Sequence, residues 1–159
     1  MSGIVECKKQ FETVTVSIPI IPANKWCTGK FMEKFILDGF KNKKIIGSEC
    51  QSCKRVYVPP RSVCGRCFSN IDVNSTVELK DEGVVESFTV AYVSLEGMGV
   101  GFKDIEPTTI ALIKIDGAYS GIIYKVKGEV RVGTRVKAVW KEKTEGSLSD
   151  LEYFEVIQQ

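Results

Sequence analysis

A mainly β fold is predicted for this chain: one short amino-terminal helix, then a cysteine-clasped ribbon, then a five-stranded barrel. Two observations predict it. Four cysteines fall as Cys50-x2-Cys53-x10-Cys64-x2-Cys67, and five runs rich in β-branched and aromatic residues follow between turn signals. At 159 residues, 43% hydrophobic and 26% charged, the chain has the balance and length to bury a core without cross-links.

Residues 1–30 read as an extended arm. Val14, Val16 and Ile18 alternate with polar residues, and Pro19 and Pro22 then break any strand ladder. Residues 31–46 form an amphipathic helix and a lead-in strand: Phe31, Met32, Phe35, Ile36 and Phe40 recur near helical spacing over 31–42, with Gly39 weakening the last turn. The ribbon occupies 47–75. The barrel, 76–159, takes its strands from Val84–Val93, Thr108–Ile115, Ile122–Val126, Arg135–Lys141 and Leu151–Ile157, with turns at Asp116-Gly117, Lys127-Gly128 and Glu145-Gly146. Five short antiparallel strands with little helix suggest closure as an OB-fold, which also removes exposed strand edges.

Zinc takes four ligands in a tetrahedron, and each Cys-x2-Cys turn brings two sulfurs to one point. The spacer KRVYVPPRSV supplies the strand and proline turn a ribbon needs. Cys50, Cys53, Cys64 and Cys67 are therefore read as ligands of one structural Zn2+; two local disulfides or an iron site are the alternatives. Cys7 and Cys27 remain, either as small buried hydrophobes or as a disulfide tying down the arm.

The chain has no histidine, which excludes His-containing triads and metal sites. No apolar run is long enough to span a membrane, and charges sit where a signal peptide would be apolar, so a cytoplasmic location is expected. Net charge is +2, yet residues 41–67 carry seven basic side chains against one acid, Glu49. The bound metal and its four thiolates would lower that local +6 to about +4. Such a segment draws anions, whether a cofactor phosphate, nucleic acid or an acidic partner; a solvated surface balancing the thiolates is the plainer reading.

The order of these parts, a helix, then CQSCKRVYVPPRSVCGRC, then GVVESFTVAYV, resembles the acyl-CoA-associated OB-fold/zinc-ribbon family, formerly a domain of unknown function. The likeness rests on both cysteine pairs, the Pro59-Pro60-Arg61 turn, the Gly83–Thr89 stretch and Val132-Gly133-Thr134-Arg135-Val136, and covers roughly residues 31–157. Two positions depart. Lys54 stands where the family usually has Gly, which makes a different first turn the expectation, and Gly65 stands where Pro is usual. The resemblance implies a rubredoxin-like zinc ribbon followed by an OB-fold. It also implies a non-catalytic accessory or scaffold subunit of thiolase-like or hydratase-like acyl-CoA enzymes, bordering CoA or acyl-CoA. Lys54, Arg61 and Arg66 are the candidate CoA or partner contacts, Arg61 foremost because it follows the rigid turn; a salt bridge is its plainer alternative.

Two rival readings stand beside this one. Single-stranded nucleic acid would suit the basic segment if Phe88, Tyr92, Tyr124, Trp140, Tyr153 and Phe154 offered stacking faces, although the barrel half is acidic. An enzyme would need more than Gly97-x-Gly99-x-Gly101, which lies between strands rather than before a helix.

Overall fold

The computed structural model describes residues 27–92 and 106–157. Most of the expected arm, Cys7 and the Gly97-x-Gly99-x-Gly101 run lie outside them. Among the described residues, no helix is long and apolar enough to cross a membrane.

The helix over 31–42 is present but irregular. Helix α1 (Gly29–Lys34) widens into a π-helical turn at Phe35–Gly39 and tightens into a 3-10 turn at Phe40–Asn42. The reason lies in the aromatic spacing. Phe35 and Phe40 are one residue too far apart for a regular α-turn, and the wide turn brings both onto the buried face, their rings 4.7 Å apart. The Asn42 side chain donates back to the Asp38 carbonyl at 2.9 Å and closes the segment.

Strand β1 (Ile45–Glu49) is the centre of a three-stranded antiparallel sheet, between β2 (Val56–Tyr57) and β3 (Thr76–Leu79). β3 follows the ribbon in sequence but pairs with β1 from Ile45↔Leu79 to Ser48↔Thr76, so the ribbon's sheet borrows its third strand from the start of the barrel segment.

The five runs then appear as β4 (Glu82–Ala91), β5 (Thr108–Ile115), β6 (Gly121–Lys127), β7 (Arg135–Trp140) and β8 (Leu151–Val156), closed in the order β4-β5-β6-β8-β7. One expectation is corrected: β6 and β8 run parallel, at Val126↔Phe154 and Lys127↔Glu155. The cause is arithmetical. Strand directions cannot alternate all the way round a ring of five, so one neighbouring pair must run the same way. β4 bends at a bulge between Val85 and Ser87. Near its start, Gly83 lets β4 lie close against β5, since a Cβ there would lie 2.5 Å from the Lys114 carbonyl oxygen. The Arg135 guanidinium bonds both oxygens of Asp116 at 2.8 Å and Glu82 at 3.0 Å, fastening three strands at one end and holding the Asp116 carboxyl below its usual range.

The larger apolar core runs from Phe35, Phe40, Ile45, Ile46 and Val58 into the barrel interior at Val85, Ile113, Val136 and Phe154. The ribbon keeps a separate, much smaller cluster of Cys50, Tyr57, Cys64 and Ile71, with Phe31 and Cys53 against it.

Candidate metal centre and its basic surround

β1 delivers Cys50 to the first knuckle, and the proline turn after β2 delivers Cys64 to the second. Both close alike. The Lys54 amide donates to the Cys50 carbonyl at 2.8 Å, and the Phe68 amide to the Cys64 carbonyl at 3.1 Å. In each, the residue after the second cysteine is left-handed, Lys54 at φ 59° and Phe68 at φ 57°. The first turn therefore closes as the second does, with Lys54 in the left-handed position. The lysine adopts the conformation glycine would hold, at a cost of roughly 1 kcal/mol.

The four sulfurs lie within 4.8 Å of one another. Cys50 and Cys67 are 3.6 Å apart, Cys53 and Cys64 3.4 Å. A tetrahedral zinc with Zn–S bonds of about 2.3 Å has sulfur edges of about 3.8 Å, so the donor set fits one such ion. Cys50 and Cys64 are buried, Cys53 half-buried and Cys67 exposed. Cys50, Cys53 and Cys64 are shifted in different directions. The Cys67 backbone amide and then the Tyr57 hydroxyl pull Cys64 down to about 5, and the Ser69 hydroxyl is the main cause lowering Cys50. At Cys53 the Arg55 amide also pulls down, but lost water and three crowding sulfurs outweigh it and push the thiol up to about 11. Such a cluster ionises fully only around a cation. A four-thiolate shell leaves no position for water, so the ion would hold structure rather than activate a substrate.

Several residues that build this site were not singled out from the sequence. Ser69 Oγ lies 3.2 Å from Cys50 Sγ and 3.1 Å from Cys67 Sγ, and Tyr57 Oη lies 3.3 Å from Cys64 Sγ. Buried Ser48 clamps the proline turn, accepting from the Arg61 amide at 3.0 Å and donating to its carbonyl at 3.2 Å. Ser120, on the β5–β6 turn, does the same to Val58, at 2.8 Å in both directions. Together with the Tyr119 amide on the Val56 carbonyl at 2.8 Å, this fastens the ribbon to the barrel.

The three basic candidates separate. Lys54 caps the first knuckle, its exposed ammonium 3.9 Å from the half-buried Glu49 carboxylate, a long and therefore weak pair. Arg61 makes no ion pair among the described residues; its guanidinium lies over the Tyr57 ring at 4.7 Å and beside Gly65, whose Cβ position is 3.4 Å from Nη1. Arg66 is exposed in the second knuckle, its amide 3.4 Å from Cys64 Sγ. Arg61 and Arg66 thus share one knuckle, and Lys54 stands on the other. Arg55 stacks on Tyr119 at 3.8 Å. Cys27 is exposed rather than buried, and its pairing with Cys7 lies outside the described residues.

Of the aromatics considered for base stacking, Phe154 is fully buried, Tyr124 and Trp140 pack against the core, and Lys127 covers Tyr153 at 3.7 Å; Phe88 and Tyr92 are exposed.

A four-cysteine ribbon leading into a closed five-stranded OB barrel defines a class of two-part zinc-ribbon/OB-fold proteins. The chain belongs to the DUF35 family. Residues 38–72 match the model of the ChsH2 rubredoxin-like zinc ribbon domain, and residues 76–141 that of the ChsH2 C-terminal OB-fold domain. A DUF35 domain-containing scaffold protein of Methanocaldococcus jannaschii is 31% identical over 100 residues, 61% of this chain and 67% of that one. The crystal structure of a DUF35 protein of unknown function from Sulfolobus solfataricus is 36% identical, covering 81% of this chain and 85% of that one, with a TM-score of 0.59. A DUF35 chain in an Ltp2–ChsH2 aldolase shares the fold, at 22% identity and a TM-score of 0.55, over 78% of this chain and 93% of that one.

Proposed function

We propose that this chain is a non-catalytic scaffold subunit. Cys50, Cys53, Cys64 and Cys67 hold one structural zinc, and the ribbon beside it binds a thiolase-like or other acyl-CoA enzyme and borders its CoA. The observation that carries this reading is the state of Arg61. Its backbone is clamped by Ser48, its guanidinium rests on an aromatic ring instead of an acid, and it stands beside a closed metal shell with no coordination site to offer a substrate. An arginine held ready for an anion beside a closed thiolate shell suits recognition and not turnover. The scaffold role named for the Methanocaldococcus relative, and the enzyme complex in which ChsH2 occurs, support the same reading. CoA offers phosphates to a basic surface and a pantetheine arm that needs an apolar channel, which a partner enzyme would complete.

The test is titration of the isolated chain, and of the chain with a co-purified acyl-CoA enzyme, against CoA and single-stranded oligonucleotides at two salt concentrations. We expect weak CoA binding and no turnover alone, and tighter binding with the partner. Arg61→Glu should weaken the complex while leaving Tm nearly unchanged. Tight, steeply salt-dependent oligonucleotide binding with no response to CoA or partner would overturn the assignment.

A further inference from the structure

Phe68 contributes little to the ribbon that carries it. It holds φ 57°, a backbone region disfavoured for a bulky side chain and free to glycine, and 79% of its surface is exposed. The turn requires left-handed backbone, which glycine would supply without strain. An exposed ring kept at a strained position is a mark of a contact residue. The surrounding hairpin, residues 61–70, also exposes Val63, at 43%, together with Arg61 and Arg66, and contains no acid. Val63 bridges Asn70, and the Cys64 amide donates to the Ser69 carbonyl at 2.9 Å, so both apolar side chains belong to one tight loop clasped by two of the four sulfurs.

We propose that this second knuckle is the docking point for the partner enzyme, Phe68 and Val63 entering an apolar pocket whose rim carries carboxylates for Arg61 and Arg66. The inference rests on the scaffold reading above and adds the surface that does the holding. A loop fixed by hydrogen bonds and a metal loses little freedom on binding, which favours affinity from a small patch. Nucleic acid fits less well. A strand needs successive open ring faces, whereas the ribbon's other aromatic, Tyr57, is buried beneath Arg61, and neighbouring Tyr119 carries Arg55. Val63 offers no face to a base.

The test uses the metal-loaded full chain and its Phe68→Gly variant, because glycine should relieve the turn while deleting the ring. The probe is a thiolase-like enzyme captured from native extract on the wild-type chain, with dissociation rates then measured for both proteins. Phe68→Gly should keep its zinc and an equal or higher Tm, yet release the enzyme at least roughly tenfold faster. Arg66→Glu should slow association and lessen its dependence on salt. Equal dissociation of wild type and Phe68→Gly would sink this surface and leave the scaffold reading standing. Failure of the wild type to hold any acyl-CoA enzyme would sink both. Loss of oligonucleotide binding in Phe68→Gly, or a wild-type dimer that the variant abolishes, would assign the knuckle to another occupant and overturn the proposal.

Discussion

Ser69 lies between Cys50 of one knuckle and Cys67 of the other, its hydroxyl within reach of both turns. A metal thiolate gains from each donor aimed at it, because the hydrogen bond spreads charge that the ion alone would neutralise. Tyr57 plays the matching part for Cys64. Removing either hydroxyl should leave the four ligands in place and loosen their grip. Ser69→Ala and Tyr57→Phe are each expected to weaken zinc binding about tenfold in chelator competition, with little change in the barrel. Unchanged affinity in both would show that the hydroxyls merely fill space. Neither residue stands out in the sequence. A serine two places after the last cysteine is unremarkable until the fold returns it to the first knuckle. The same holds for Ser48 and Ser120, whose partners are backbone groups of Arg61 and Val58, brought near only by tertiary structure. The cysteines were legible because their spacing is local and their chemistry has few other uses.

At the scale of elements, legibility follows the range of the cause. The five barrel strands were readable because β-branched runs between turn signals depend on neighbours in sequence. The parallel β6–β8 pair was not, because it is imposed by closing an odd ring. The lead-in helix lies between these cases: the aromatic spacing announced a helix, while the π-turn depends on where Phe35 and Phe40 must both arrive. Phe40 is 1% exposed and meets Phe35 at 4.7 Å and Trp140 edge-on at 5.2 Å, so it joins the helix to β7. Phe40→Ala should cost about 3–5 kcal/mol, since a cavity at the junction of two elements cannot easily collapse. Denaturant unfolding measures it. A loss below about 1 kcal/mol would mean that the helix docks by other contacts.

The whole molecule divides its stability unequally. Among the described residues the larger core gathers seventeen buried ones, from Phe35 through Phe154, and binds the helix, β1 and Val58 to the barrel. The ribbon's own cluster has four, of which Cys50 and Cys64 are metal-site thiols. Take the metal away, and what remains among the described residues to hold the knuckles is Tyr57, Ile71, the partly buried Phe31 and a few turn hydrogen bonds. Apolar burial on that scale does not sustain a fold. The barrel loses nothing it depends on, because Ser120 and Tyr119 grip the ribbon at Val58 and Val56, beyond the cysteine turns. Strong chelation should therefore melt the ribbon and spare the barrel. Hydrogen exchange checks this directly. The Lys54 and Phe68 amides, protected in the zinc form by the knuckle bonds, should exchange rapidly after chelation, while those of Ile113 and Val136 stay slow. Because β1 is shared between the ribbon's sheet and the larger core, its Ile45 end should keep its protection and its Glu49 end should lose it. Global unfolding on chelation would mean that the metal supports both parts, and unchanged exchange at Lys54 and Phe68 would mean that the knuckles stand without it.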